Sequence, residues 1–103
     1  MKKSLIPHYR PEVIEIIDDY INFNNYYDCS SHLEILEILI EIYERMDSNV
    51  FDRILPFIND ELIFEWFDSR DRWRGQLGIV SFSLIESYML IAKRNNQINK
   101  IIK

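Results

Sequence analysis

Residues 31–46 read SHLEILEILIEIYERM, and this stretch decides the fold because its apolar residues recur at the spacing of an α-helix. Ser31 and Glu34 form the pattern of a capping box, which satisfies free backbone amides at a helix start. We therefore predict a helix that runs to about Met46. At about 100° per residue, its glutamates fall within about 80° of arc. They are Glu34, Glu37, Glu41 and Glu44, and the opposite side is formed by Ile35, Leu36, Leu39, Ile42, Tyr43 and Met46.

The segment before this stretch repeats the same one-sided pattern. Pro11 suits the first position of a helix, where a missing N–H costs nothing, and the pattern continues to about Phe23. Four acids fall in one arc of about 120°, and apolar side chains oppose them. The acids are Glu12, Glu15, Asp18 and Asp19. The asparagine-rich stretch 22–28 is then a connection between two helices.

After Met46 the pattern predicts a helix that is interrupted by proline. Ser48 can cap a third segment, and Pro56 removes a hydrogen bond and clashes with the preceding turn. We expect a short helix near Val50–Leu55, a break, and a second piece near Phe57–Phe67.

A fourth helix is expected after Ser69, running to about Arg94, with a tail that extends it or frays. Its part Leu77–Ala92 is apolar around most of its circumference, which is typical of a central helix covered on several sides. Gly75 and Gly78, with Ser81, would let another helix approach closely.

These segments predict an all-α fold with one domain, residues 1–103. Four or five helices would pack as antiparallel hairpins, in a compact bundle or a short HEAT-like stack. Residues 68–88, DSRDRWRGQLGIVSFSLIESY, resemble the second half of a HEAT-type repeat, which implies an antiparallel helical hairpin. The expected core includes Val13, Ile17, Leu36, Leu39, Tyr43, Leu55, Leu77, Leu84, Ile85 and Tyr88.

Charge is segregated along the chain. Residues 11–68 contain fifteen acids against Arg45 and Arg53, whereas both ends of the chain are basic and the total is −5. Such an acidic field attracts a basic partner. Glu37 and Glu41 form a like-charge i,i+4 pair, and only Glu41–Arg45 is compensated within the helix. We therefore predict partner-binding residues on the two acidic faces, namely Glu34, Glu37, Glu41, Glu44, Glu12, Glu15, Asp18 and Asp19.

The sequence offers little for catalysis or for a cofactor. Cys29 and His32 are three residues apart at a helix start, but no third orienting group accompanies them. No Glu lies three residues before either histidine, as a di-iron helix bundle requires, and no Gly-rich phosphate loop is present. We predict that the chain is no enzyme and binds neither metal nor cofactor.

A cluster of three arginines surrounds Trp73, namely Arg70, Arg72 and Arg74. Such a cluster binds nucleic acid by phosphate contact and stacking, or forms ion pairs inside the chain. We favour ion pairs with Asp68, Asp71 and the acidic helices, because the acidic body repels phosphates.

No segment has the pattern of a membrane span or an export signal. Leu77–Ala92 is too short and contains Glu86, and the N-terminal apolar stretch is only Leu5–Ile6 before Pro7. The single cysteine cannot form an internal disulfide. We expect a cytoplasmic protein.

In size, acidity and helical pattern the chain resembles the immunity proteins of bacterial toxin systems, including colicins and contact-dependent growth inhibition. This resemblance implies an inhibitor that binds a basic toxin domain, such as a nuclease. The alternative is a helical adaptor or structural interaction module that uses an apolar groove lined by aromatics. The candidates for that groove are Tyr26, Tyr27, Phe64, Trp66, Phe67 and Trp73.

Overall fold

The computed structural model describes residues 8–20 and 31–102, with only the backbone at residue 102. These residues form six α-helices and one 3-10 turn, and none of them lies in a strand. The all-α prediction is therefore confirmed, but the described residues contain six helices rather than the four or five predicted. The helices are α1 (Pro11–Tyr20), α2 (His32–Arg45), α3 (Val50–Ile54), α4 (Asp60–Asp68), α5 (Arg70–Gln76) and α6 (Ile79–Ile102), and the 3-10 turn Leu55–Phe57 follows α3.

Helix α2 contributes more fully buried side chains than any other described helix. The Ser31 hydroxyl accepts a hydrogen bond from the Glu34 amide at 3.2 Å, which confirms the predicted cap. The helix contacts α1, α3 and α4, and its buried residues span an arc of about 160° of its circumference. Its buried residues are Ile35, Leu36, Leu39, Ile40, Ile42 and Tyr43.

Two side-chain contacts define how α1 packs on α2. The Tyr9 hydroxyl and Nδ1 of His32 share a hydrogen bond at 2.6 Å, and Tyr20 donates to Asp47 at 2.7 Å. Like ends of the two helices therefore meet, and this pair runs in the same direction rather than as an antiparallel hairpin. Residues 21–23 of the predicted first helix, and the predicted connection 22–28, lie outside the described residues.

The chain breaks near Pro56, as predicted. Pro56 lies in the 3-10 turn between α3 and α4, where its missing amide breaks no helical ladder. The cap residues differ from the prediction: Asn49, and not Ser48, precedes α3, without a side-chain cap. Asn59 caps α4 by accepting from the Leu62 amide at 2.8 Å.

Helices α4 and α6 run antiparallel. Trp66, near the end of α4, packs on Phe82 near the start of α6 with ring centroids 5.2 Å apart. At the other end, Asn96 donates to Asp60 at 3.0 Å. Helix α5 lies between them in sequence, and its buried Trp73 donates to the Ser69 hydroxyl at 2.7 Å.

The predicted continuous helix after Ser69 is wrong, because α5 ends at Gln76 and α6 begins at Ile79. Leu77 is extended and buried, so the chain turns there to insert this side chain into the core. Gly75 and Gly78 have no atom within 4 Å of a Cβ built on them, so they do not serve close helix packing. They weaken the helix at this point instead.

The prediction that Leu77–Ala92 is covered on several sides is only partly correct, because α6 contacts α3, α4, α5 and the 3-10 turn but has one open side. One face of α6 is buried through Phe82, Ile85, Met89 and Ala92, but apolar side chains on the opposite face are exposed. Leu84 is 39% exposed, so its place in the predicted core is wrong. Seven of the predicted core residues are buried, and Leu55 and Tyr88 pack against the core while half-buried. The seven are Val13, Ile17, Leu36, Leu39, Tyr43, Leu77 and Ile85.

Candidate partner-binding surface

The outer face of α1 presents acids without cationic partners. Because Val13, Ile16 and Ile17 turn inwards, the helical period leaves Glu15, Asp18 and Asp19 in solvent. Within residues 8–20 and 31–102, no basic side chain is at ion-pair distance from these three carboxylates. The fourth predicted acid, Glu12, is half-buried and pairs with Arg10 at 3.3 Å. Three of the four acids on this face therefore carry a charge that no described basic side chain balances.

The glutamates of the α2 stripe form more hydrogen bonds and ion pairs within the chain than the sequence indicates. Glu34 accepts from the Ser31 hydroxyl at 3.3 Å, and Glu37 accepts a hydrogen bond from Arg72 of α5. Glu41 has a loose ion pair with Arg45 at 3.7 Å. Glu44 is exposed and has no ion pair among the described residues. The charges of Glu41 and Glu44, in the C-terminal half of the stripe, are therefore less compensated than those of Glu34 and Glu37.

A cluster of hydrogen bonds around Asp47 fixes the end of α1 to the turn after α2. Asp47 accepts from Tyr20 at 2.7 Å, from Arg53 at 2.6 Å and from the Asn49 amide at 2.8 Å. The Tyr20 hydroxyl and the Asn49 amide, with Arg53, lower the pKa of the Asp47 carboxyl because they favour its charged form. Asp47 is thus an internal tie, and it positions the acidic ends of α1 and α2 beside each other.

A third acidic face on α4 is missing from the sequence-based prediction. Phe64 is 64% exposed, and Glu61 and Asp68 lie one helical turn on either side of it. Glu65 adds a further half-exposed acid, and none of these three has an ion pair among the described residues. An exposed aromatic side chain beside acids without ion pairs makes this face a further candidate for partner binding. The i,i+4 spacing of Glu61 and Glu65 is the signal that could have found this face.

The arginine cluster forms ion pairs inside the chain, as favoured. Arg70 binds Glu86 of α6 through both of its carboxylate oxygens, one at 2.8 Å, and this lowers the pKa of Glu86. Arg72 binds Glu37, and the Arg74 guanidinium lies over the Phe82 ring at 5.6 Å. Asp68 and Asp71, predicted as partners, form none of these pairs. Glu86 takes the place of Asp68 and Asp71 because the turn at Leu77 brings α6 back beside α5.

The aromatic groove of the alternative prediction does not form as expected. Trp66 and Trp73 are buried, and Phe67 is half-buried beneath the Lys93 ammonium at 5.7 Å. Only Phe64 among the predicted groove residues described is well exposed. Tyr26 and Tyr27 lie outside the described residues.

Few described side chains are candidates for a catalytic or metal site. Cys29 lies outside the described residues, and His32 is held by its bond to Tyr9. Among the described residues, no three side chains of the His, Cys, Asp or Glu type come together as a metal site would require. Likewise, no helix in this part of the chain combines the length and the apolar character needed to cross a membrane.

Comparison of the chain with protein-family models, curated proteins and solved structures gives no match.

Proposed function

We propose that the chain is an inhibitor of the immunity-protein kind, which binds a basic toxin domain through its acidic surface and neutralises it. The observation that carries the proposal is the set of uncompensated acids on the outer faces of adjacent helices. Those acids are Glu15, Asp18 and Asp19 on α1 and Glu44 on α2. Glu41, with its loose ion pair, adds to this set, and Glu12, Glu34 and Glu37 contribute to the field while bound within the chain.

The acids support binding rather than folding. Carboxylates that repel one another on a helix surface cost stability, so a surface of this kind has a use when a cationic partner covers it. A nuclease domain carries a cationic groove for the phosphate backbone, and an acidic protein that fits this groove associates fast. Such an inhibitor would act in the cytoplasm, where the chain's single cysteine needs no oxidising conditions.

The test begins with the neighbouring genes: if one encodes a secreted protein with a basic C-terminal domain, the chain is expressed together with that domain in cells that the domain kills. We expect growth to be rescued, and we expect purified toxin domain and chain to associate more slowly as salt is raised. Asp19→Lys should slow association at low salt by at least about threefold.

Asp71→Lys is the matched control, because it makes the same change of charge at an exposed site on α5, between two arginines. It should leave association and rescue near the wild-type level. If Asp19→Lys stays folded and associates at the wild-type rate at low salt, the acidic face of α1 is not the binding surface.

A helical adaptor is the second proposal, and the exposed apolar face of α6 favours it where that face binds a protein other than a second copy of this chain. Binding at that face would change little with salt, since burial of apolar area is not screened. The salt dependence of the interaction therefore separates the two functions.

A further inference from the structure

The outer face of α6 carries an apolar pattern that the core of one chain does not use. Along this face, seven positions follow one another at alternating intervals of four and three residues. This is the heptad spacing of a helix that pairs with another helix. Five of these seven positions are apolar. We call this line the outer seam, and it consists of Val80, Leu84, Ser87, Ile91, Arg94, Ile98 and Ile101.

The outer seam lies opposite the buried face of α6. Phe82 and Met89 are buried, and Asn96 donates to the Ile58 carbonyl at 3.1 Å, so this side of the helix faces the core. The apolar seam side chains are between 39% and 82% exposed. A contiguous exposed apolar stripe, unlike a single exposed apolar residue, is uncommon on a monomer and is typical of an interaction site. The period of the pattern therefore indicates a second helix outside this chain.

The flanks of the seam favour a second copy of this chain as that partner. Charged residues beside a heptad seam usually select the partner by their sign. Here the flanking positions are uncharged, so two copies approach without repulsion, although each has an acidic body. They are Ser81, Tyr88 and Asn95 on one side and Ser83, Leu90 and Gln97 on the other.

The length and charge of the seam suit an antiparallel pair. Residues 80–101 span about 33 Å of helix, long enough for two seams to bury the area of a standard interface. A parallel pair would place the two Arg94 side chains together. An antiparallel pair instead brings Arg94 to the half of the other helix that contains Tyr88.

We propose that the outer seam binds the same seam of a second copy of this chain, with the two α6 helices antiparallel around a twofold axis. Each copy then contributes the same patch, as in most symmetric dimers. The pairing is independent of the acidic surface and leaves α1 and α2 available in both copies.

Sedimentation equilibrium of the full chain tests the pairing. We expect a dimer to form below about 0.5 mM, with the same dissociation constant at low and high salt. Ile91→Glu should raise that constant by at least about tenfold, because two carboxylates would be buried at the seam. Val80→Glu, at a site 80% exposed, is a second variant that does not disturb the core.

Met46→Glu is the matched control, since it places the same charge at an apolar site that is 50% exposed, at the end of α2 and away from the outer seam. It should dimerise like the wild type. A monomeric wild type over this concentration range would overturn the proposal, as would a dimer that Ile91→Glu and Val80→Glu leave intact.

The orientation is tested with a cysteine at the end of the seam. In a Cys29→Ser background, Val80→Cys should stay uncrosslinked under oxidation, because antiparallel helices keep the two copies of residue 80 far apart. Ready disulfide formation between them would show a parallel pair and contradict the antiparallel arrangement.

Discussion

Helices α2 and α6 present opposite relations between sequence and position. Helix α2 has a stripe of four glutamates, which is the pattern of a surface helix, yet it contacts three other helices and buries six residues. Helix α6 is apolar on most sides, which is the pattern of a central helix, yet it leaves an apolar face in solvent. The comparison shows that apolar residues on most sides of a helix do not place the helix at the centre of its own chain. Each apolar side indicates a contact surface, and in the proposed pairing one such surface of α6 lies between two chains.

The largest expected effect comes from truncating one leucine on each helix. Leu39→Ala on α2 removes a fully buried side chain and should lower the free energy of unfolding by about 2–5 kcal/mol. Leu84→Ala on α6 should cost less than about 1 kcal/mol, because the side chain is partly in solvent already. Urea unfolding at a concentration where the chain is monomeric measures both. Equal losses would mean that Leu84 is buried as fully as Leu39.

A smaller effect is expected at the tie between α1 and the turn after α2. Asp47→Ala leaves the Tyr20 hydroxyl and the Asn49 amide without their acceptor, and it should cost about 1–2 kcal/mol. Asp52→Ala, at an exposed acid of α3, is the control and should stay within about 0.5 kcal/mol of the wild type. An Asp47→Ala chain as stable as this control would show that the cluster does not hold α1 in place.

The pH dependence should follow from three carboxylates whose pKa is lowered in the fold, Asp47, Asp60 and Glu86. Hydrogen bonds from Tyr20, Lys100 and Arg70, respectively, are the largest causes. A lowered pKa gives stability that is present above about pH 4, the pKa of the unfolded chain, and is lost as the pH falls through the folded value. Urea unfolding between neutral pH and about pH 3 should therefore show a decline.

The double variant Asp47→Asn, Glu86→Gln is the control for this decline. At neutral pH its free energy of unfolding should be lower than that of the wild type. This free energy should also fall less on acidification, since two of the three groups no longer titrate. The unpaired acids of α1 are the same in both proteins, so relief of their repulsion cancels in the comparison. Equal declines in the two proteins would contradict the assignment.

The smallest expected effect separates two glutamates of the α2 stripe. Glu44→Lys removes repulsion with Glu41 and should raise the free energy of unfolding by about 0.2–0.5 kcal/mol. Glu37→Lys breaks the bond to Arg72 and should lower it by about 0.5 kcal/mol, since the pair is partly exposed. Chemical unfolding measures both, and recovery in Glu37→Lys with Arg72→Glu would identify the pair. A Glu37→Lys chain that is no less stable would show that the stripe is only solvated.

Local signals in the sequence predict most of the helices. Ser31, with Glu34 three residues later, fixes the start of α2, and Pro56 fixes the break between α3 and α4, because both act on their own backbone neighbours. Asn59 carries the same kind of signal for α4. The turn at Leu77 is harder to predict, since two glycines only weaken a helix and the burial of Leu77 decides where the chain bends.

The candidate surface is predicted less completely, because its charges are set by distant contacts. The acids of α1 are in solvent as the helical period predicts, whereas Glu37 binds Arg72, thirty-five residues away in the chain. No spacing rule relates such residues. The exposure of Phe64 beside Glu61 and Asp68 also depends on which face of α4 meets α2, which the tertiary structure decides.

The two tryptophans of the chain make it a natural optical reporter. Trp66 is fully buried against Phe82, Trp73 is nearly so, and neither lies on α1 or α2. Indole fluorescence at short wavelength should therefore follow the opening of the α4–α5–α6 region and shift to the red on unfolding. The acidic faces of α1 and α2 carry no tryptophan, but the Arg72 guanidinium that binds Glu37 lies 4.8 Å from the centre of the Trp73 ring, so a partner that takes Glu37 away from Arg72 should also change the emission of Trp73.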